Sequence, residues 1–109
     1  MPTTSAIVAG PDEHGLGDAL DSQDVAVTRI DGVVTADRLE AAGIEDAALF
    51  VLTDVDEATS IPVAKELNPD ARAVVYADDS LPEFAKGQVD LAVDPELLAA
   101  DAVAEELAA

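Results

Sequence analysis

Five apolar runs recur along the chain at intervals that suit strands, at 5–9, 25–30, 48–53, 72–77 and 89–93. The first, third and fourth (AIVA, ALFVLT and AVVYA) are almost unbroken, as strands covered by helices on both faces of a parallel sheet should be. The second and fifth carry Thr28, Arg29 and Asp90, polar residues that suit sheet edges. Between the runs lie helix-forming stretches, at about 16–22, 35–42, 58–67, 81–86 and 96–108. Gly43 closes the second of these as a C′ glycine able to take a positive φ, and Asn68-Pro69 and Gly87 stop the next two. Asp94-Pro95 starts the last helix, whose apolar stripe of Leu97, Leu98, Val103 and Leu107 would cover the sheet or a dimer partner.

Strands alternating with helices imply a parallel sheet with right-handed crossovers and helices on both faces. Two edge strands and three buried ones favour the order 2-1-3-4-5. The expected fold is therefore α/β, a three-layer sandwich of shortened Rossmann-like (flavodoxin-like) type, with residues 1–109 forming one domain. That order puts a topological switch point between the first and third strands, where the loops 10–17 and 53–60 meet. Pro62 constrains the helix after the third strand. In a helix interior it would cost about 3 kcal/mol, whereas with Ser60 as N-cap it falls harmlessly in the first turn. Residues 54–59 then form a longer loop over the sheet edge.

Charge narrows the picture. Twenty-four Asp and Glu against five Lys and Arg give a formal charge of −19, with the acids dispersed along the chain. Such self-repulsion destabilises a compact state in dilute salt but is screened when the Debye length falls to about 3 Å at molar salt. The composition resembles that of salt-in halophilic archaea. With no basic patch to neutralise phosphates, nucleic acid is not an expected partner. There are no cysteines, and thus no disulfides or thiolate metal sites. No apolar run approaches the roughly 18 residues of a membrane span, and the N-terminus lacks a signal-peptide pattern, so the chain reads as cytoplasmic and without membrane insertion. His14 is the sole histidine and has no partnered nucleophile, so no catalytic role is expected. Tyr76 and Phe50 read as core, and Asp78-Asp79 as caps for a helix beginning near Leu81.

The stretch 35–68, TADRLEAAGIEDAALFVLTDVDEATSIPVAKELNP, resembles the second half of the TrkA-N family, the nucleotide-binding Rossmann domain of potassium-uptake regulators and RCK domains. The AGIEDA turn, the apolar strand ending in Thr-Asp and the AKELNP helix end carry the likeness. The last strand and its Pro-Glu-Leu-Leu continuation resemble the family's tail. The resemblance implies a non-catalytic nucleotide-sensing or regulatory domain binding NAD(H) or an adenine nucleotide. The ligand would lie over Gly10, Gly15 and Gly17, with Asp31 on the ribose and Thr53-Asp54 beneath. Asp31 lies 21 residues past Gly10, near the roughly 20 expected of a ribose-binding acid. The glycine loop departs from the family's pattern: its middle glycine has no counterpart, and Asp12 and Glu13 put negative charge where a phosphate would sit. The family's ligand-contacting Asn is replaced near Ser60.

Two further readings stand beside this one. One is a ligand-free interaction module, forming a homodimer or docking a regulatory protein partner. The other is a receiver-like Mg²⁺-binding domain. Asp12 and Glu13 after the first strand and Asp54 after the third resemble a response-regulator receiver, in which three carboxylates hold Mg²⁺ and the last is phosphorylated. The receiver's hydroxyl residue falls near Ala77-Asp78 here, and its lysine before the final proline is Asp94. A loosely bound divalent cation at Asp12, Glu13 and Asp54 would remain chemically sensible.

Overall fold

A computed structural model of the chain describes residues 4–78 and 80–108. Its five strands, β1 (Ser5–Ala9), β2 (Ala26–Ile30), β3 (Leu49–Leu52), β4 (Arg72–Tyr76) and β5 (Leu91–Val93), form one parallel sheet in the order 2-1-3-4-5. The helices are α1 (Leu16–Ser22), α2 (Ala36–Ala41), α3 (Ser60–Leu67), α4 (Glu83–Lys86) and α5 (Ala100–Ala108). This is the three-layer, flavodoxin-like arrangement that the hydrophobic pattern implies.

The unbroken apolar strands follow from the two cores they separate. Ile7, Ala9, Phe50, Leu52 and Val75 point to one face, where Leu39 of α2, Ile61 of α3 and Ala85 of α4 cover them. Ala6, Val8, Leu49, Val51 and Val74 point to the other, against Leu16 and Leu20 of α1 and Val103 and Leu107 of α5. Side chains alternate along each strand, so both sets must be apolar when both faces are covered. The edges differ as expected: in β2 only Ile30 is fully buried, and in β5 no residue is.

Local chemistry sets most boundaries. Thr35 caps α2 by accepting from Arg38 N–H, and Gly43 leaves the helix at φ +88°. Asn68, almost fully buried after α3, ties two connections together. Its amide donates to the carbonyls of Ile44 (2.8 Å) and Ala47 (3.0 Å), and its oxygen accepts from Asp70 N–H (3.0 Å). Pro62 sits in the first turn of α3, where no helical hydrogen bond needs its N–H. The cap is Thr59 rather than Ser60, however, and Ser60 Oγ donates back to Glu57 O at 2.6 Å. The expected loop 54–59 contains a 3₁₀ turn, Val55–Glu57.

Two helix starts are corrected. α4 begins at Glu83 with Pro82 at its N-cap and no side-chain cap, because Leu81 precedes a proline and is disfavoured in helical conformation. Asp78 therefore does not cap it, and Asp79 lies outside the described residues. α5 begins at Ala100, not near Pro95. Asp94 organises a separate turn, its carboxylate accepting from Glu96 N–H (2.9 Å) and its carbonyl from Leu97 and Leu98. Leu97 and Leu98 consequently leave the predicted stripe and are 80% and 49% exposed.

Candidate functional site

In register, Ala9 of β1 stands beside both Ile30 of β2 and Leu52 of β3, so the three strands end at one level. The loops that leave them meet over the carboxyl edge of the sheet. There a cleft of about 240 Å³ is lined by Pro11, Asp12, Glu13, His14, Thr53, Asp54, Val55, Tyr76, Ala77 and Asp78.

Gly10 and Thr53 make the close approach on which the cleft is built. Gly10 takes φ +106°, and a Cβ there would lie 2.6 Å from Thr53 Oγ1 and 3.0 Å from Asp54 N. Thr53 Oγ1 donates across the gap to Pro11 O at 2.5 Å. Asp54 Oδ1 accepts from Asp56 N–H at 3.0 Å, capping the 3₁₀ turn that follows. Glu57 at the end of that turn accepts from Val34 N–H (2.8 Å), binding this loop to the one after β2.

The amino end of α1 is filled by the chain itself. Asp12 accepts from Gly17 N–H with both carboxylate oxygens, at 3.0 and 3.2 Å. Arg29, reaching from β2, lies against Gly17 and closes over the pair, with Nη1 2.8 Å from Asp12 and Nη2 2.9 Å from Asp18. Burial pushes the Asp12 carboxyl up, but the Arg29 guanidinium and the Gly17 amide outweigh it and hold the group below its ordinary value. Arg29 in turn is pushed up, first by its bond to Asp12.

On the far wall Tyr76, buried in β4, donates its hydroxyl to Leu98 O at 2.7 Å, and burial, with the Asp94 charge, raises its pKa. His14 lies in the loop, its ring edge-on to Tyr76 at 5.9 Å between centroids. Phe50 is core.

Of the residues proposed for a nucleotide, Gly10, Thr53 and Asp54 come together. Gly15 and Gly17 join them only through Asp12, which occupies the position a phosphate would take. Asp31 is exposed beyond β2, does not line the cleft, and has its carbonyl held by Arg38 Nη1. A loosely bound cation at Asp12, Glu13 and Asp54 would meet the same competition. Asp12 is committed to Gly17 and Arg29, and among the described residues no three Asp, Glu or His side chains come together as metal ligands. The sequence reading missed the Arg29 clamp, although an arginine in an edge strand opposite an acid-rich loop was its available signal. It also missed Asn68 as a clamp.

A family model described as a family of unknown function, DUF7126, matches residues 6–107. No curated protein matches the chain. Among solved structures, HP1043, an orphan response regulator of H. pylori, is similar with a TM-score of 0.72 at 14% identity, covering 97% of this chain and 96% of that one. An atypical orphan response regulator, whose structure is described as revealing a phosphorylation-independent regulatory mechanism, gives 0.68 at 14% identity over 94% and 91%. A protein assigned to pilus assembly (cpaE) from Burkholderia thailandensis gives 0.67 at 18% identity over 97% and 98%. These likenesses establish the fold.

The TrkA-N resemblance is overturned by these matches, which lead to DUF7126 and to receiver-like structures instead. Its motifs have a structural explanation. The AGIEDA turn supplies the left-handed Gly43, the buried Ile44 and the carbonyls that Asn68 of the AKELNP helix end clamps. Any parallel sheet joining a helix, a strand and a second helix this tightly can use the same pattern.

Proposed function

The chain belongs to DUF7126, a family of unknown function, and we propose that it is a non-catalytic regulatory domain of receiver-like fold that works through protein contacts and without phosphoryl transfer. The observation that carries this reading is the Asp12–Arg29 pair. In a receiver the acids after the first strand must be free to hold a divalent cation, which then offsets the charge of a phosphorylated aspartate. Here Asp12 is paired with the half-exposed guanidinium of Arg29, from the chain's own β2, 2.8 Å away. Asp54 stands where the phosphorylated residue would be, but Ala77 and Asp94 replace the hydroxyl and the lysine. Asp94 adds negative charge where the reaction needs positive. The phosphorylation-independent mechanism described for one similar structure supports the same direction.

Incubation with acetyl phosphate and Mg²⁺, followed by intact mass measurement, tests the proposal. The mass should remain that of the unmodified chain. A phosphoryl adduct lost on Asp54→Asn would overturn it.

A further inference from the structure

Only five of the 109 residues are Lys or Arg, yet two of the three arginines line one groove. It lies between β2, an edge strand, and α2, and encloses about 240 Å³ bounded by Thr28, Arg29, Ile30, Arg38, Ala41 and Ala42. No acid lines it, whereas four acids line the cleft at the carboxyl edge and three line the groove beside β5. The volume is below the roughly 300–1,000 Å³ of drug-sized ligand clefts and suits a small group.

Arg38 is preorganised there without an acidic partner. Its Nη1 donates to the carbonyls of Asp31 (2.5 Å) and Val33 (2.6 Å), which fixes the plane of the guanidinium. Among the described residues no carboxylate pairs with it, and no acceptor takes its Nε or Nη2. The free Nε–Nη2 side is a fork that grips an oxyanion with two parallel hydrogen bonds. The β2 wall brings two further donors. Ala26 N–H and Ile30 C=O both bond towards β1, so the N–H of Arg29, one residue out of phase, faces the open edge of the sheet. Thr28, which lines the groove from the side of Ile30, is exposed and carries a hydroxyl.

Net charge does not choose the occupant. A charge of −19 repels every anion in dilute buffer, and molar salt screens that repulsion. What selects at contact distance is the direction and number of the donors. A carboxylate offers two oxygens in one plane and satisfies the fork alone, whereas a tetrahedral oxyanion presents a third to the β2 wall. Chloride, a single atom, cannot meet all of these donors at once.

We propose that the β2–α2 groove binds a phosphate group, either free or as a small monoester. Arg38 takes two of its oxygens through Nε and Nη2, and the β2 wall donates to a third. The site is separate from the carboxyl-edge cleft and does not depend on the functional reading above.

The test follows the arginine Nε–H signals by NMR, with the chain kept folded in a fixed KCl background. Inorganic phosphate, phenyl phosphate and acetate are titrated in turn at constant ionic strength. The Arg38 signal should move and saturate with both phosphates, while that of Arg72, exposed and likewise in no ion pair among the described residues, should not. Tighter binding of phenyl phosphate would identify a monoester as the ligand, and equal binding the free ion. Arg38→Lys keeps the charge but loses the fork, and should weaken Kd about tenfold or more. Thr28→Val, which leaves every charge in place, should weaken it several-fold, and serves should circular dichroism show Arg38→Lys unfolded. Equal, unsaturated movement of Arg38 and Arg72 would overturn the proposal, as would acetate binding as tightly as phosphate. Binding unchanged in the folded variants would overturn it too.

Discussion

Arg29 and Asp12 stabilise one another only while Asp12 is ionised. Because the folded chain holds that carboxyl below its ordinary value of 3.8, the contribution is complete above this value and is lost as pH falls through the lower folded one. Half-exposed pairs of this kind contribute about 1 kcal/mol or less. Urea unfolding should therefore find Arg29→Ala slightly less stable than wild type at neutral pH, with the difference closing as pH falls below 3.8. A difference independent of pH would mean that Arg29 acts only by covering Gly17. Asn68 carries more weight, because its side chain satisfies carbonyls in two connections at once. Asn68→Ala leaves those groups buried without a donor and should cost about 2–3 kcal/mol in the same measurement.

Among elements, α5 separates apolar residues that look alike in sequence. Leu107 is 4% exposed against α1, whereas Leu97 is 80% exposed in the preceding turn. Leu107→Ala should cost about 2–4 kcal/mol and Leu97→Ala less than about 0.5. Thermal melts that respond equally to both would contradict the observed start of α5. This boundary also marks where sequence patterning stops being informative. Glu96, Leu97 and Leu98 are good helix formers, and nothing local announces that Asp94 will engage their amides or that Tyr76 will take the Leu98 carbonyl from another strand. The strand order, by contrast, was legible, because burial on two faces leaves no polar position in AIVA, LFVL or AVVY. The site was legible as a place but not as a chemistry. Gly10, Thr53 and Asp54 could be brought together from topology, while the role of Asp12 depended on an arginine from β2, and periodicity says nothing about where a long side chain ends.

For the molecule as a whole, charge decides the conditions under which these contacts matter. A chain carrying −19 spreads repulsion across a fold whose principal extents are only 32 × 29 × 23 Å. Several charges lie within one Debye length of each other in dilute buffer, where that length is about 30 Å at 0.01 M, and few do at 1 M, where it is about 3 Å. Stability should accordingly rise with KCl, and circular dichroism should show a cooperative gain of structure or a rising melting temperature towards molar salt. The internal ion pairs are screened too, but they are close and partly buried, so relief of repulsion is the larger effect. A melting temperature unmoved by KCl would refute this account.

The position of β1 between β2 and β3 has a consequence in time. During synthesis, β1 can find β2 after a single helical crossover, yet its other edge stays open until Leu52 has emerged. For that interval a strand of almost wholly apolar residues has one unpaired edge, the kind of surface on which nascent chains associate wrongly. Once β3 closes it, β1 is paired on both sides, whereas β5 keeps one edge open. Amide exchange should accordingly be slower by orders of magnitude at Ile7 and Val8 than at Ala92, so that a strand left open during synthesis becomes, once paired, among the last to open.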